Sequence, residues 1–302
     1  MLKYIFKRLI ISLAILLMFS FIMYCIISLF RFSFIGIHIP IFPDYFIWLS
    51  QSMIGNFGYS RMLRMPVAQA LQEHMWVSIM IVLIGLIVAY LIAIPLGTLA
   101  GTKKNSKFDT IASTLSLVSV SFPAFFICVI FIRIFAVGLG WFPMGGMITA
   151  NLPYDTTATT AFFNRAWHFI LPIAVIAFLN VGELMRLVRV NNIEVLSSDY
   201  IRTAKAFGIK NHAIIGKFAL KNTAVPLSTY MATFLPTVFA GSFIVEILFA
   251  LPGVGFAAWR ALLSFDVPLL MGFYMFIGLL TVLGNFLSDI AYAVLNPQIR
   301  LN

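Results

Sequence analysis

The stretch that decides the fold class is residues 75–100, MWVSIMIVLIGLIVAYLIAIPLGTLA, which contains no charged side chain. A helix of about 20 apolar residues crosses the ~30 Å hydrocarbon core of a bilayer, and this stretch is long enough to do so. Exposing so much contiguous apolar surface to water would be unfavourable. The stretch therefore predicts a membrane-spanning helix.

The composition of the whole chain points the same way. Of the 302 residues, 62% are hydrophobic and 10% are charged, whereas roughly 25% of the residues of an ordinary soluble domain are charged. Long apolar stretches predict an all-α, polytopic membrane protein with a single domain, 1–302, and six transmembrane helices. The predicted spans are residues 9–30, 75–100, 111–137, 169–190, 226–250 and 268–295.

The basic residues predict an orientation for these spans. Of the 20 Lys and Arg residues, 14 lie on the side that holds both termini and the 191–225 loop, and six lie on the other side. Because cytoplasmic loops carry an excess of Lys and Arg, both termini and the 191–225 loop are predicted to be cytoplasmic. Residues 31–74 and 138–168 are then outer loops. The net charge of +10 is scattered, unlike the single basic stripe typical of nucleic-acid binding.

Charged and polar residues inside the spans are candidates for translocation or gating. Glu183 lies inside the fourth predicted span, with Arg186 at i+3 as its expected partner, in either a structural ion pair or a gating role. Asn180 and Glu246 add polar groups, and Pro236 should kink the fifth span. Such groups can also simply join helices, and a kink can be purely structural.

The 191–225 loop predicts two short amphipathic helices joined at Gly208, whose freedom to adopt positive φ favours a helix end. Ser197 or Ser198 can cap the first helix and Asn211 the second. The first helix carries an apolar stripe flanked by basic residues, namely Tyr200, Ala204 and Phe207 beside Arg202 and Lys205. Such a pair is typical of a docking surface for a cytosolic partner, or of a loop that lies on anionic lipid.

The run DYIRTAKAFG at residues 199–208 resembles the EAA loop of ABC-importer permeases. In detail it is similar to the version in oligopeptide, dipeptide and nickel permease subunits, and most of all to the B-type oligopeptide permease. Four other segments match the same branch: GNFGYS at 55–60, GWFP at 140–143, EILFALPGVG at 246–255 and NPQIR at 296–300. The resemblance thus covers nearly the whole chain.

The resemblance implies which residues carry the function. The expected ATPase-coupling residues are Ser198, Asp199, Tyr200, Arg202, Thr203, Ala204, Lys205, Phe207 and Gly208. The expected outer-loop motif comprises Trp141, Pro143, Leu251, Pro252, Gly253 and Gly255. No catalytic residue and no metal ligand is expected, because the His residues are dispersed and no His-Glu-x-x-His motif occurs.

The resemblance also implies partners. The chain would pair with a second, similar permease subunit as a heterodimer, above two cytosolic ABC ATPases, and receive substrate from an extracellular binding protein. The chain has no Gly-x-x-x-x-Gly-Lys-Ser/Thr phosphate loop. No cofactor is therefore expected in this chain, and ATP and Mg would be bound by the partner subunits. The expected location is the inner membrane of a bacterial or archaeal cell.

Three functions stay open at this point. The favoured function is peptide import, with oligopeptides ahead of dipeptides and both ahead of nickel or another small solute. An ion-coupled secondary transporter would need a buried charge, for which Glu183 is the sole candidate. An intramembrane enzyme is disfavoured, because no nucleophile and base are visibly paired.

Overall fold

The computed structural model describes residues 2–35, 41–150, 157–223, 226–227, 230 and 242–295. Most of these residues are helical. They divide into two compact units, of which the first comprises Met1–Met80 and Thr233–Ile290, and the second Ile81–Ala232 and Ala291–Asn302. The helical content confirms the predicted α-helical class.

The first unit contains the N-terminal helices and the last helices of the chain. Its elements are α1 (Leu2–Ile35), α2 (Ile41–Met53), the strands β1 (Tyr59–Ser60) and β2 (Met65–Pro66), the start of α3 (Val67–Thr102), α9 (residues 242–248), α10 (Val254–Leu263) and most of α11 (Val267–Leu295). A buried cluster that includes Ile27, Val67, Ala261 and Leu269 joins α1, α3, α10 and α11. This cluster is the apolar core of the unit.

The predicted first outer loop, residues 31–74, has more structure than expected. Residues 31–74 hold the end of α1, helix α2, a two-stranded antiparallel hairpin and the first turns of α3. The hairpin is held by the buried Asp266, whose Oδ2 accepts hydrogen bonds from Ser60 Oγ at 2.7 Å and from the Met62 amide at 2.9 Å. The all-α prediction missed this hairpin, because its acceptor lies 206 residues away along the chain.

The second unit contains the middle of the chain. Its elements are the rest of α3, α4 (Lys107–Ser121), α5 (Ala124–Phe131) continued by a π-helix (Ile132–Gly138), α6 (Ala158–Ser197), α7 (Asp199–Ala206), and α8 (Asn211–Ala213) continued by a π-helix (Ile214–Ala219). Its core packs alanines of α3, such as Ala89 and Ala93, against Leu184 and Val188 of α6. Small residues on one helix and large residues on the other let the two backbones lie close together.

Two glycines of α3 mark this close approach. A Cβ on Gly97 would lie 2.6 Å from the carbonyl oxygen of Met185, and one on Gly101 would lie 3.0 Å from that of Arg189. Residues four apart share one face of a helix, so the two glycines form a single contact with α6. The spacing is the Gly-x-x-x-Gly pattern that allows membrane helices to pack closely.

The described residues contain four helices long and apolar enough to cross a membrane, within Leu9–Leu29, Val67–Thr102, Ala158–Ser197 and Val267–Phe286. They correspond to the first, second, fourth and sixth predicted spans. In the third, α4 and α5 form a pair bent by 105°, with the break at Phe122 and Pro123. Most of the predicted fifth span, including Pro236, lies outside the described residues.

Helix α6 extends beyond both ends of the fourth predicted span, 169–190, and begins within the predicted outer loop 138–168. Helix α6 already begins at Ala158, where the Thr157 hydroxyl accepts a hydrogen bond from the Thr160 amide at 3.3 Å and so caps the helix start. The helix then continues to Ser197, into the predicted 191–225 loop. The length of the apolar stretch predicted too short a helix, because both ends of α6 are polar. These ends depend on capping and on contacts outside the span.

Candidate coupling and gating sites

The predicted first helix of the 191–225 loop is present as α7. Ser198 separates it from α6 with an extended backbone, at φ −71° and ψ 153°. The Ser198 hydroxyl donates to the carbonyl oxygen of Val195 at 2.5 Å, back towards α6, and does not cap α7. Ser198 is therefore the residue at which α6 ends and the chain turns into α7.

Gly208 ends α7 in the predicted left-handed conformation, with φ at +76°. Its amide donates to the carbonyl oxygen of Lys205 at 2.9 Å, and the Ile209 amide donates to that of Ala204 at 3.1 Å. These two hydrogen bonds form a Schellman motif. A Cβ on Gly208 would meet no heavy atom within 4 Å, so any cost of a side chain there comes from the backbone.

The buried face of α7 differs from the predicted apolar stripe. Ile201 and Ala204 are buried, whereas Tyr200 and Phe207 are exposed, Phe207 by 82%. Ile201, one residue after Tyr200, packs inward together with Ala204 of the predicted stripe. Two aromatic side chains are consequently left on the surface of the loop.

The second short helix supports the exposed face of α7. The ring centroid of Tyr200 lies 6.4 Å from that of Phe218, and the Asn222 amide donates to the Tyr200 hydroxyl at 3.3 Å. Asn211 is the first helical residue, and Lys210 occupies the cap position without a side-chain cap bond. The predicted Asn211 cap was therefore wrong by one residue.

The other expected coupling residues of α7 are polar. Arg202 and Asp199 form an ion pair at 3.2 Å, and their side chains are exposed by 75% and 94%. Thr203 Oγ1 donates to the Asp199 carbonyl oxygen at 3.1 Å, and Lys205 is exposed. The surface thus presents charges of both signs beside two aromatic rings.

A second candidate site is the motif at residues 246–255, which organises the start of α10. Glu246 is completely buried, and its Oε2 accepts hydrogen bonds from the amides of Gly255 at 2.7 Å and Phe256 at 3.2 Å. Its Oε1 accepts from the Ser242 hydroxyl at 3.2 Å. The carboxylate therefore caps a helix N-terminus, where negative charge is stabilised.

Ser78 of α3 completes this cap. Its hydroxyl accepts a hydrogen bond from the Val254 amide at 2.9 Å, so the first three amides of α10 all have side-chain acceptors. A Cβ on Gly253 would collide with the Glu246 carboxylate, and one on Gly255 would lie 2.7 Å from Phe243 Cα. The two glycines are therefore required by the space around the buried carboxylate.

The other residues of the expected outer-loop motif lie around tight turns. Leu251 is completely buried, and Pro252 is half-buried before the α10 cap. Trp141 is exposed, and its amide donates to the Phe135 carbonyl oxygen at 2.9 Å. Pro143 follows two residues later and is half-buried.

A hydrogen-bonded cluster that the sequence analysis missed holds the 139–150 segment against α6. His168 is buried, with Nδ1 3.0 Å from the carbonyl oxygen of Gly146 and Nε2 3.2 Å from Thr149 Oγ1. Asn164 donates to Thr149 Oγ1 at 2.8 Å and accepts from its amide at 3.0 Å. His168 and Asn164 lie four apart on one helix face, which is the signal that could have revealed the cluster.

The interior candidates of α6 make local contacts. Asn180 is buried, and its amide donates to the Ile176 carbonyl oxygen of its own helix at 2.6 Å. The predicted ion pair between Glu183 and Arg186 is not formed in the described part of the chain, where Arg186 is exposed. Glu183 lies close to Tyr230 instead.

The ion pair that α6 does make was not predicted. Arg189 forms two hydrogen bonds with the buried Asp109 of α4, one from Nε to Oδ1 and one from Nη2 to Oδ2 at 2.8 Å. Sequence reasoning counted Arg189 only towards the orientation, because its partner lies 80 residues away.

Comparison with known proteins defines the class of this protein. Residues 93–301 match the family model of the binding-protein-dependent transport system inner membrane component. The chain belongs to this family, whose members are transport subunits of the membrane and not catalytic enzymes. Its membership implies an ATPase and a substrate-binding protein as partners.

Two curated relatives place the chain among permeases. It is 33% identical to the oligopeptide transport system permease protein AppB of Bacillus subtilis (strain 168) over 88% of this chain and 82% of the relative. It is 32% identical to the oligopeptide transport system permease protein OppB of Haemophilus influenzae (strain ATCC 51907 / DSM 11121 / KW20 / Rd) over 86% and 81%. The family resemblance seen in the sequence motifs is confirmed.

Proposed function

We propose that this chain is a permease subunit of an ABC importer that takes up peptides, with oligopeptides as the favoured substrates. The observation that carries the proposal is the similarity over more than four fifths of the chain to two oligopeptide permeases. The exposed α7 surface and the capped α10 supply the coupling and outer elements that such a subunit needs.

The proposed arrangement has six spans, with both termini and the EAA-type loop in the cytoplasm. A second permease subunit forms the other half of the pathway, and two ATPase subunits bind ATP and Mg beneath them. Helix α7 contacts an ATPase through its exposed residues and transmits closure of the ATPases to α6, which it joins at Ser198. An extracellular binding protein delivers the peptide.

Substrate class is tested with the complete complex in proteoliposomes. The measurement is ATPase activity in the presence of the binding protein and of peptides of two to eight residues, or of Ni²⁺. Peptides of more than two residues should give the largest stimulation. Stimulation by Ni²⁺ alone would contradict the peptide proposal and favour the nickel alternative.

The energy source is tested in the same preparation. Uptake should require ATP inside the ATPase-facing compartment and should persist when ion gradients are collapsed. Uptake by this chain alone, without ATPases but with an ion gradient, would favour the secondary transporter instead, with Glu183 as the coupling residue.

A further inference from the structure

The turn between α3 and α4 is a compact cluster of positive charge. Lys103, Lys104 and Lys107 are all exposed, and none of them forms an ion pair with another described residue. The turn has a defined shape, since Asn105 adopts φ +64° and its amide donates to Asp109 Oδ2 at 2.9 Å. The three ammonium groups are therefore held on one short, ordered segment.

The neighbouring acid does not neutralise this cluster. Asp109 is the only acidic residue between Lys103 and Ser121, and it is buried and engaged by Arg189 through two hydrogen bonds. Its charge is balanced there, and the three lysines keep an uncompensated charge of about +3 at the surface. This surface suits an anion.

An apolar groove begins beside the basic turn. Its volume is about 240 Å³, and Phe108, the neighbour of Lys107, lies at one end. The wall formed by α4 runs to Ser119, which is ~17 Å along a helix, and opposite it lie residues of α6 such as Phe178 and Met185. Gly182 allows the two helices to come together, because a Cβ there would collide with Ser119.

The groove is open to the surroundings of the helices. Ile111 and Leu115 line it and are 60% and 63% exposed. In a membrane protein such residues face acyl chains. The basic turn lies at the end of two helices, and the apolar groove starts beside it. This arrangement matches a phospholipid, in which an anionic headgroup is followed by an acyl chain.

We propose that the basic turn and the α4–α6 groove together bind one anionic phospholipid. The ammonium groups of Lys103, Lys104 and Lys107 contact the headgroup phosphate, and one acyl chain lies along the groove past Ile111 and Leu115. Assigning this lipid to the cytoplasmic leaflet rests on the orientation proposed above. The site itself depends only on charge and shape.

The test is lipid binding to the purified full-length chain in detergent micelles, measured by native mass spectrometry. The micelle removes any effect of the lysines on membrane orientation. Wild type should retain phosphatidylglycerol and retain phosphatidylcholine with the same acyl chains far less. Since each lysine near an anionic surface contributes roughly a fivefold effect, the variant K103Q/K104Q/K107Q should bind phosphatidylglycerol on the order of 100-fold more weakly.

A matched control separates local charge from net charge. The variant K210Q/K217Q/K221Q loses the same three charges from exposed positions elsewhere and should bind phosphatidylglycerol within about twofold of wild type. Filling the groove with Ala112→Leu should weaken the binding of phosphatidylglycerol while leaving the lysines intact. Equal loss in both triple variants would overturn the proposal.

Two further outcomes would also contradict it. Full competition by glycerol phosphate would indicate a simple anion site without a role for the groove. A cysteine at Ile111 that cross-links to the second permease of the complex would indicate that protein, not lipid, covers the groove. These outcomes leave the peptide-import proposal unaffected, because the assay measures no transport.

Discussion

The two candidate sites, α7 in the 191–225 loop and the start of α10, stabilise a helix end in opposite ways. The end of α7 is formed by the backbone of Gly208, which adopts φ +76° and has open space around it. The start of α10 is capped by side chains, because the buried carboxylate of Glu246 and the hydroxyl of Ser78 accept hydrogen bonds from its first amides. The arrangement at α7 leaves side chains exposed, where a partner can contact them. The capping side chains of α10 are instead hydrogen-bonded inside the protein.

The difference predicts that the α10 cap is sensitive to substitution in terms of stability, and α7 in terms of coupling. A buried amide without an acceptor carries a full desolvation penalty, while an exposed side chain can be replaced at little cost. Four variants, taken in order of decreasing effect on stability, test the comparison.

Glu246→Ala should have the largest effect. It leaves the amides of Gly255 and Phe256 without their acceptor in a buried site, which should cost about 4 kcal/mol. The melting temperature of the purified chain in detergent measures this loss. Glu246→Gln keeps one acceptor oxygen and should be less destabilising, and Glu194→Ala, at an exposed position of α6, is the control. Equal melting of all three variants would show that the cap contributes nothing.

Gly253→Ala should have the second largest effect. The added Cβ would collide with the Glu246 carboxylate and would lie 2.7 Å from Ser78 Oγ, and forcing these groups apart should cost about 2 kcal/mol. Gly216→Ala is the matched control, because a Cβ at Gly216 meets no heavy atom within 4 Å. A melting temperature for Gly253→Ala as high as that of the control would contradict the steric account.

Gly208→Val should destabilise less but impair coupling more. Positive φ costs a side chain with a Cβ about 1–2 kcal/mol, and a β-branched residue is strained further. The strain should disturb the end of α7 and, under the proposed function, separate ATP hydrolysis from uptake. The measurement is the ratio of peptide transported to ATP hydrolysed, with Gly216→Val as the control. Unchanged transport at normal expression would refute the coupling role of Gly208.

The same contrast explains how much the sequence could predict. Gly208 and the helix before it were predictable, because a Schellman motif uses residues adjacent in the chain. The α10 cap was not, because Ser78 and Val254 lie 176 residues apart, although Glu246, Gly253 and Gly255 were recognised as a motif. The structure supplies the physical reason for the motif, which resemblance alone could not give.

The buried face of α7 could not be predicted from the sequence for a related reason. Tyr200 and Ile201 are adjacent and both largely apolar, and helical periodicity alone does not decide which of them points inward. The decision depends on what α7 packs against, and only tertiary structure provides that. The same holds for Arg186 and Arg189, since the arginine that forms an ion pair is the one that faces Asp109.

The double variant Asp199→Asn/Arg202→Gln should have the smallest effect on stability. The two side chains are 94% and 75% exposed, and an exposed ion pair contributes at most about 0.5 kcal/mol. The melting temperature should therefore stay within error of wild type. Stimulation of the ATPases by loaded binding protein should nevertheless fall, because under the proposed function these side chains contact the ATPase.

The control is Lys217→Gln, an exposed charge on the neighbouring helix and outside the α7 surface. If the double variant kept full stimulation, the exposed polar face of α7 would have no part in coupling, and the exposed rings of Tyr200 and Phe207 would have to provide the contact alone.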